Sequence, residues 1–152
     1  MRRLQIAEQV ALAKWDSGKD VEDLPRELQV IQAAVVKGTE KGLTSDLVSN
    51  FFRAQIEANK YVQYALLAQW YRDGKAPQHK PINLTEVIRP QLDELQNSLI
   101  DELAKTESLR SRKTCRADLA RAVDAYFSTH HGLSSHINSD TLYRALTGAC
   151  GP

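Results

Sequence analysis

Two cations share one face of the first predicted helix. Arg3 and Lys14 are eleven residues apart, and eleven steps of about 100° return a side chain to nearly the same direction three turns on. Ala7 and Val10 lie between them on that stripe. The pair therefore flanks a small apolar patch, with about 16 Å of helical rise between the cations. Such a patch could hold an anion, but two side chains that reach for solvent along a helix give the same pattern.

Three amide side chains follow the apolar stripe of the predicted long helix. Gln55, Asn59 and Gln63 recur at i, i+4 and i+8, where they share or border that stripe. A buried polar group without a partner costs roughly 1–3 kcal/mol, so a stable domain seldom carries several of them. The amides could line a polar cavity, or they could bond to one another in a ladder that sets the register of the bundle. The sequence leaves both interpretations open.

Charged residues also gather at two predicted helix starts. Asp23, Arg26 and Glu27 begin the second helix, and Arg89 precedes Pro90 beyond a proline-containing linker. Ordinary helix capping would explain the first group, and a solvated arginine would explain the second. Alone, neither group identifies a site.

Other site chemistries lack a motif in this sequence. His130, His131 and His136 do not show the i, i+4 helical pairing with a carboxylate that a zinc site requires. No serine or cysteine lies in a recognisable nucleophile elbow, and there is no glycine-rich phosphate loop. We therefore expect no metal site.

Length and charge limit the classes of partner. The chain has 152 residues, 42% of them hydrophobic and 26% charged, with a formal net charge of +1. This is the size of one domain, which we expect to span residues 1–152. The near-neutral charge gives no reason to expect nucleic acid or an anionic membrane as partner, and no apolar run approaches the roughly 20 residues that span a bilayer. An anionic ligand would have to be held by local placement of Arg and Lys.

Apolar residues recur at helical spacing, and β-branched runs of period two do not occur. The pattern predicts an all-α, single-domain bundle of about six helices with one long central helix. The break His130-His131-Gly132 separates the last two. The predicted helices cover about 2–16, 24–38, 45–72, 83–103, 114–129 and 139–146.

Four stretches of the sequence form a recognisable set. They are Arg3 eleven residues before Lys14, the segment VEDLPRE at 21–27, the run FFRAQIEANKYVQY at 51–64, and Arg89 after the linker. This set resembles the active site of the all-helical chorismate mutases, and the run at 51–64 is its most specific part. The resemblance covers essentially the whole chain and is strongest for the exported (gamma) subclass, in which one chain supplies a complete site.

The resemblance implies a cofactor-free enzyme of aromatic amino-acid biosynthesis that rearranges chorismate to prephenate within one molecule. The protein would hold the compact conformer of this dianion and stabilise charge on its ether oxygen. The implied catalytic residues are Lys14, Gln63 and Arg26, and the implied substrate-binding residues are Arg3, Arg89, Asn59, Asp23 and Glu27.

The resemblance also implies a role for each of these residues. Lys14 and Gln63 would donate to the ether oxygen, and the three arginines would bind carboxylates. Asn59 would donate to a carboxylate or position its neighbour. Asp23 and Glu27 would accept from the ring hydroxyl. Val30 stands where at least one member of the subclass has a glutamine, so we expect the hydroxyl to rely on Glu27 or on the backbone near Asp23.

The two cysteines, Cys115 and Cys150, are ambiguous on spacing alone, which favours free, buried thiols. The resemblance instead implies a C-terminal disulfide between them, and hence a periplasmic or secreted protein. The opening Met1-Arg2-Arg3-Leu4 is basic, but no apolar stretch of signal-peptide length follows it. We therefore expect that an export signal has already been removed.

Two other functions are compatible with parts of the pattern. A non-catalytic helical module that binds an anionic metabolite would explain the cations but not the paired donors Lys14 and Gln63. A structural bundle that acts through protein partners would leave Arg3 and Arg26 on solvated faces. A homodimer is a further expectation, because the long helix exposes tyrosines in its second half.

Overall fold

The computed structural model describes residues 1–130 and 135–151, which form α-helices and one π-helical turn without any β-strand. The elements are α1 (Arg2–Ser17), α2 (Leu24–Glu40), α3 (Ser45–Asp73), the π-turn (Leu84–Ile88), α4 (Arg89–Lys105), α5 (Glu107–Arg110), α6 (Cys115–Thr129) and α7 (Ser139–Leu146). Within the described residues, no helix is both long enough and apolar enough to cross a bilayer.

The predicted all-α class and the long central helix are confirmed, and the predicted bounds agree with the observed ones within two residues. The count of about six helices is low for two reasons. The chain forms the short α5 directly after α4, and the helix predicted from residue 83 is divided into the π-turn and α4. His131 and Gly132, part of the predicted break before α7, lie outside the described residues.

The central helix α3 is the element against which several other helices pack. Its 29 residues span about 44 Å. Thr44 caps its start by accepting a hydrogen bond from the Leu47 N–H at 3.3 Å, and Gly74 ends it in the left-handed conformation at φ 69°. It packs against α1, α2 and α7, so helices from both ends of the chain meet on it.

Two apolar clusters lie along α3. The first joins α3 to α1, α6 and α7, and the second joins it to α2 and α4. Ala7 and Ala11 of α1 and Ala58 of α3 are completely buried in the first cluster. Because their side chains are only methyl groups, α1 lies close to α3 along this stretch. This close packing matters for the site, since both helices also carry the polar residues identified from the sequence.

The π-turn follows from Pro90 in the first turn of α4. Proline has no N–H, and its ring collides with the carbonyl four residues back, so an α-helix cannot run through this position unchanged. The backbone widens instead: the Arg89 N–H donates to the Leu84 carbonyl five residues earlier. Asn83 starts the turn, since its side-chain oxygen accepts from the N–H groups of Thr85 and Glu86 at 3.0 and 2.9 Å. The result places Arg89 at the junction of the turn and α4.

The C-terminal segment is fastened to the bundle by covalent and close contacts. Cys115 and Cys150 form a disulfide that closes 35 residues of chain, as the resemblance implied and contrary to the free thiols favoured by spacing. Arg110 donates to the Ala149 carbonyl at 3.4 Å. A Cβ on Gly148 would lie 2.6 Å from the Phe51 Cα, so only glycine permits this approach to α3.

Reduction of the Cys115–Cys150 disulfide will lower thermal stability. In the chain-entropy model a loop of this length contributes about 3–4 kcal/mol. For a domain of this size the loss corresponds to a fall in Tm of roughly 5–15 °C, measured by far-ultraviolet circular dichroism with and without reductant. The double variant Cys115→Ser/Cys150→Ser is the control, because its Tm must not respond to reductant. Equal melting of oxidised and reduced wild-type protein would contradict the expectation.

Candidate active site

A cavity of about 160 Å³ lies where α1, α2, α3, the π-turn and α4 meet. One water needs only about 10–15 Å³ by the same measure, so the space suits a small organic molecule. The structure brings all eight residues predicted for catalysis or substrate binding to its wall. They are Arg3 and Lys14 from α1, Asp23, Arg26 and Glu27 from the start of α2, Asn59 and Gln63 from α3, and Arg89 from α4.

Arg3 is a buried cation that lacks partners. Its residue is only 7% exposed, and its Nε and Nη1 atoms make no hydrogen bond within the described residues. Burial lowers the pKa of Arg3 to about 10, and the Asp93 carboxylate opposes that shift. The guanidinium therefore stays charged at neutral pH, and its carbon lies 5.9 Å from the centre of the Phe52 ring. The interpretation of Arg3 as a side chain that reaches for solvent is therefore wrong. The solvated face that a structural bundle would show at Arg3 is absent as well.

A chain of amides begins at the backbone of Arg3. The Asn59 Nδ2 donates to the Arg3 carbonyl at 2.6 Å, and the Gln63 Nε2 donates to the Asn59 Oδ1 at 2.7 Å. Because the carbonyl can only accept, it determines which end of each amide faces which neighbour. The Gln63 Oε1 is sealed from solvent and has no partner within the described part of the chain. Both sequence interpretations are thus partly right, since these amides line the cavity and also bond to each other.

Gln55, the first amide of the stripe, has a different place. Its Nε2 donates to the Ala145 carbonyl of α7, and it does not line the cavity. It fixes α7 against α3, which is the register role that a bonded amide can have.

The residues around the start of α2 are engaged locally. The Asp23 carboxylate accepts from the Arg26 N–H at 3.1 Å, so it is the helix cap that ordinary capping predicts. The half-buried Arg26 side chain reaches Gln29 at 3.5 Å. The Lys14 ammonium donates to the backbone carbonyl of Asp20 in the loop between α1 and α2. These contacts orient Lys14 and Arg26 along the cavity wall.

Arg89 lies at the exposed rim of the cavity. Its side chain makes no hydrogen bond or ion pair with any described residue, although it lines the same space as Arg3. The interpretation of Arg89 as a solvated arginine is therefore right about its exposure. Because Arg89 also lines the cavity, the N–H donors of its guanidinium are free to bind an anion there.

The structure adds a lysine that sequence reasoning missed. Lys60, on α3, binds Glu57 at 2.7 Å, Glu27 at 3.2 Å and Glu22 at 3.4 Å. Burial alone would lower the pKa of Lys60, but hydrogen bonds to Glu57 and Glu27 raise it above its usual value. Lys60 is therefore a charged clamp on Glu27. The Glu57–Lys60 spacing of i, i+3 was visible in the sequence, but Glu27 and Glu22 come from other elements.

Asp93 and Gln96 of α4 also line the cavity and were not predicted. They follow Arg89 at i+4 and i+7, the same helical spacing that identified the amides of α3. Val30 lines the wall as an apolar residue. No group of His, Cys, Asp and Glu side chains in residues 1–130 and 135–151 has the arrangement of a metal site.

Lys60→Met will destabilise the protein by about 1–3 kcal/mol, measured as the free energy of unfolding in urea. Removing one partner of a buried pair leaves the other charge uncompensated, and the Glu27 and Lys60 side chains are only 18% and 11% exposed. Lys105→Met is the matched control: its pair with Glu102 has the same i, i+3 spacing but is 69% and 64% exposed. That variant should stay within about 0.5 kcal/mol of wild type. Equal losses in the two variants would refute the clamp.

Comparison with known sequences gives one family. The family model described as chorismate mutase type II matches residues 1–64, which contain every predicted site residue except Arg89. A secreted chorismate mutase of Mycolicibacterium smegmatis is 36% identical over 124 residues, covering 82% of this chain and 68% of that protein. A secreted chorismate mutase of Mycobacterium tuberculosis is 28% identical over 148 residues, covering 97% of this chain and 70% of that protein.

Two crystal structures share the fold over nearly the whole chain. The chorismate mutase from Burkholderia phymatum has a TM-score of 0.91 and 43% identity, covering 99% of this chain and 90% of that one. The chorismate mutase from Burkholderia thailandensis has a TM-score of 0.89 and 35% identity, covering 98% of this chain and 92% of that one.

Proposed function

This chain belongs to the chorismate mutase family, and we propose that it rearranges chorismate to prephenate in the cavity between α1, α2, α3 and α4. The observation that carries the proposal is the buried Arg3 guanidinium, which has two unpartnered nitrogens at a cavity also lined by Lys14, Arg26 and Arg89. A cation of this kind is costly in an empty bundle and well suited to a small dicarboxylate.

The chemistry requires positioning and charge stabilisation. In this rearrangement the ether C–O bond breaks while a C–C bond forms within the same molecule, and no proton is transferred. The protein has to hold the substrate in its compact conformer, with both carboxylates fixed, and to donate hydrogen bonds to the ether oxygen as it gains charge. We assign carboxylate binding to Arg3, Arg26 and Arg89.

Lys14 and Gln63 are the proposed donors to the ether oxygen. An ammonium has three N–H donors, and only one of those of Lys14 is used by the Asp20 carbonyl. An amide NH₂ has two, and Gln63 uses one on Asn59. Each side chain thus keeps a donor for the substrate. Asn59 acts in this proposal as the group that orients Gln63.

The ring hydroxyl is assigned to Glu27 or to the backbone near Asp23. Both carboxylates already accept hydrogen bonds, Asp23 from the Arg26 N–H and Glu27 from Lys60 at 3.2 Å and from the Asp23 N–H at 3.4 Å. Glu27 is the better acceptor of the two side chains, because it is half-buried whereas Asp23 is exposed. Val30 is apolar and supplies no alternative.

The proposal extends to the state and location of the protein. We take residues 1–152 as a single domain. A disulfide within the chain and relatives named as secreted favour export to an oxidising compartment. A homodimer is part of the proposal, since Tyr61 and Tyr64 of α3 are 58% and 52% exposed. A non-catalytic module that binds an anionic metabolite is the alternative, and an ultraviolet assay of chorismate disappearance with purified protein separates the two.

Lys14→Ala will lower kcat by about 10²–10³-fold, because it removes one donor to the developing charge on the ether oxygen. The measurement is chorismate consumption, with circular dichroism to verify that the fold is retained. Lys113→Ala, a change of the same type at an exposed residue outside the cavity, is the control and should match wild type. Turnover by Lys14→Ala at the wild-type rate would remove Lys14 from the mechanism.

Gln63→Glu will make activity fall as pH rises. A protonated carboxyl group can donate to the ether oxygen, whereas the ionised form cannot and repels the dianion. We expect kcat/KM to drop at least about tenfold between about pH 5 and 8, while wild type changes little over this range because an amide donates at any pH. Gln32→Glu on the exposed face of α2 is the control. A flat profile in Gln63→Glu would count against the donor role.

A further inference from the structure

Gln96 of α4 is a buried amide without a hydrogen-bond partner in the described part of the chain. The residue is 3% exposed, and its side chain makes no hydrogen bond within residues 1–130 and 135–151. Among the described residues, the side-chain atoms that are both closed to solvent and unpartnered belong to Arg3 and Gln63. The amide atoms of Gln96 are not among them, so they remain open to the cavity. A leucine would fill the same space and leave no polar group in need of a partner. The open side of Gln96 is the cavity that it lines.

The position of Gln96 along α4 places it at the inner end of that cavity. Arg89, Asp93 and Gln96 share one helix face at i, i+4 and i+7, and Gln96 lies about 10 Å further along the axis than Arg89. Arg89 is exposed at the rim, whereas Gln96 is buried. Helix α1 packs against α4 and brings in Arg3, which is equally buried and carries two unpartnered nitrogens. Arg3 feels the charge of Asp93, which lies one helical turn before Gln96 on the same face of α4, so a guanidinium and an amide without partners lie in neighbouring parts of the cavity wall.

The chemistry of this pair points to a carboxylate. The Nε and Nη1 atoms of Arg3 and the amide of Gln96 offer at least three donors. A carboxylate has two oxygens with about four lone-pair sites, whereas a hydroxyl oxygen has only two. A charge-assisted hydrogen bond is also about twice as strong as a neutral one, which would offset the burial of both groups. Val30 of α2 also lines the cavity, but it is apolar and supplies no donor.

We propose that Gln96 contacts the substrate and donates its Nε2–H to the carboxylate that Arg3 binds. The inference rests on the proposed function for the identity of the ligand, but its structural basis is the unbonded amide and not the family. A purely structural Gln96 would pack between helices, and its loss would change stability and leave substrate affinity unaltered.

The test is Gln96→Leu, which keeps the volume and removes the donor. We expect KM for chorismate, and the Kd of the product prephenate by calorimetry, to rise about 10- to 100-fold, as for a lost hydrogen bond to a charged group. We expect Tm to stay equal to wild type or to rise, because the Gln96 side chain makes no hydrogen bond that stabilises the fold. Gln91→Leu, an exposed glutamine of α4 outside the cavity, is the matched control and should leave KM, Kd and Tm unchanged.

Gln96→Glu is the second variant, and it reports on the charge of the ligand. An ionised carboxylate beside the substrate carboxylate should raise Kd about tenfold more at pH 8 than at pH 5, where protonation restores a donor. If Gln96→Leu is unstable, this pH dependence decides the question. KM and Kd within twofold of wild type in Gln96→Leu, or a pH-independent Kd in Gln96→Glu, would overturn the proposal. Wild-type protein that binds but does not convert chorismate would refute the proposed activity alone, and the Kd comparison would still decide the role of Gln96.

Discussion

A guanidinium buried without a counter-charge in contact is the constraint on which the rest of the structure depends. Arg3 has lost most of its hydration, and its nearest carboxylate influence, Asp93, only partly offsets that loss. Folding must therefore be stabilised elsewhere, and the close apolar packing of α1 on α3 does this next to the site. An anion bound beside Arg3 would compensate the charge of the guanidinium without a rearrangement of the protein, and a site of this kind is called preorganised.

The same residue also organises its neighbours through its backbone. The Arg3 carbonyl orients Asn59, and Asn59 orients Gln63, so the charge of the cavity and the direction of its amides share one origin on α1. Lys60, the residue after Asn59 on α3, ties Glu27 of α2 to the same helix. Acidic and amide groups are thus held by α3, against which α1, α2 and α7 pack, and a shift of α1 or α2 along it would alter several site distances together.

Local patterns in the sequence predicted the elements well, because caps such as Thr44 and apolar periodicity act within a few residues. Residue type and spacing singled out the eight site residues but left their function open, and the family resemblance assigned them to one site. They converge on one cavity, and the role of each stays a prediction. What was missed depends on packing between elements. From the sequence, Lys60 forms only an ordinary i, i+3 pair with Glu57, and its pair with Glu27 depends on the packing of α2 against α3. The burial of Gln96 likewise depends on neighbouring helices.

The widened turn before α4 has a geometric consequence for the cavity wall. Two residues of the turn and four of α4 line the wall: Leu84, Ile88, Arg89, Leu92, Asp93 and Gln96. In an uninterrupted α-helix, at about 100° per residue, these positions would fan out over about 180° of the circumference. Bonding to the fifth residue winds the chain more slowly and rotates Leu84 and Ile88 back towards the others. The π-turn therefore contains one residue more than an α-helical turn would. Without that residue, the side chains of the turn and those of α4 would face different directions.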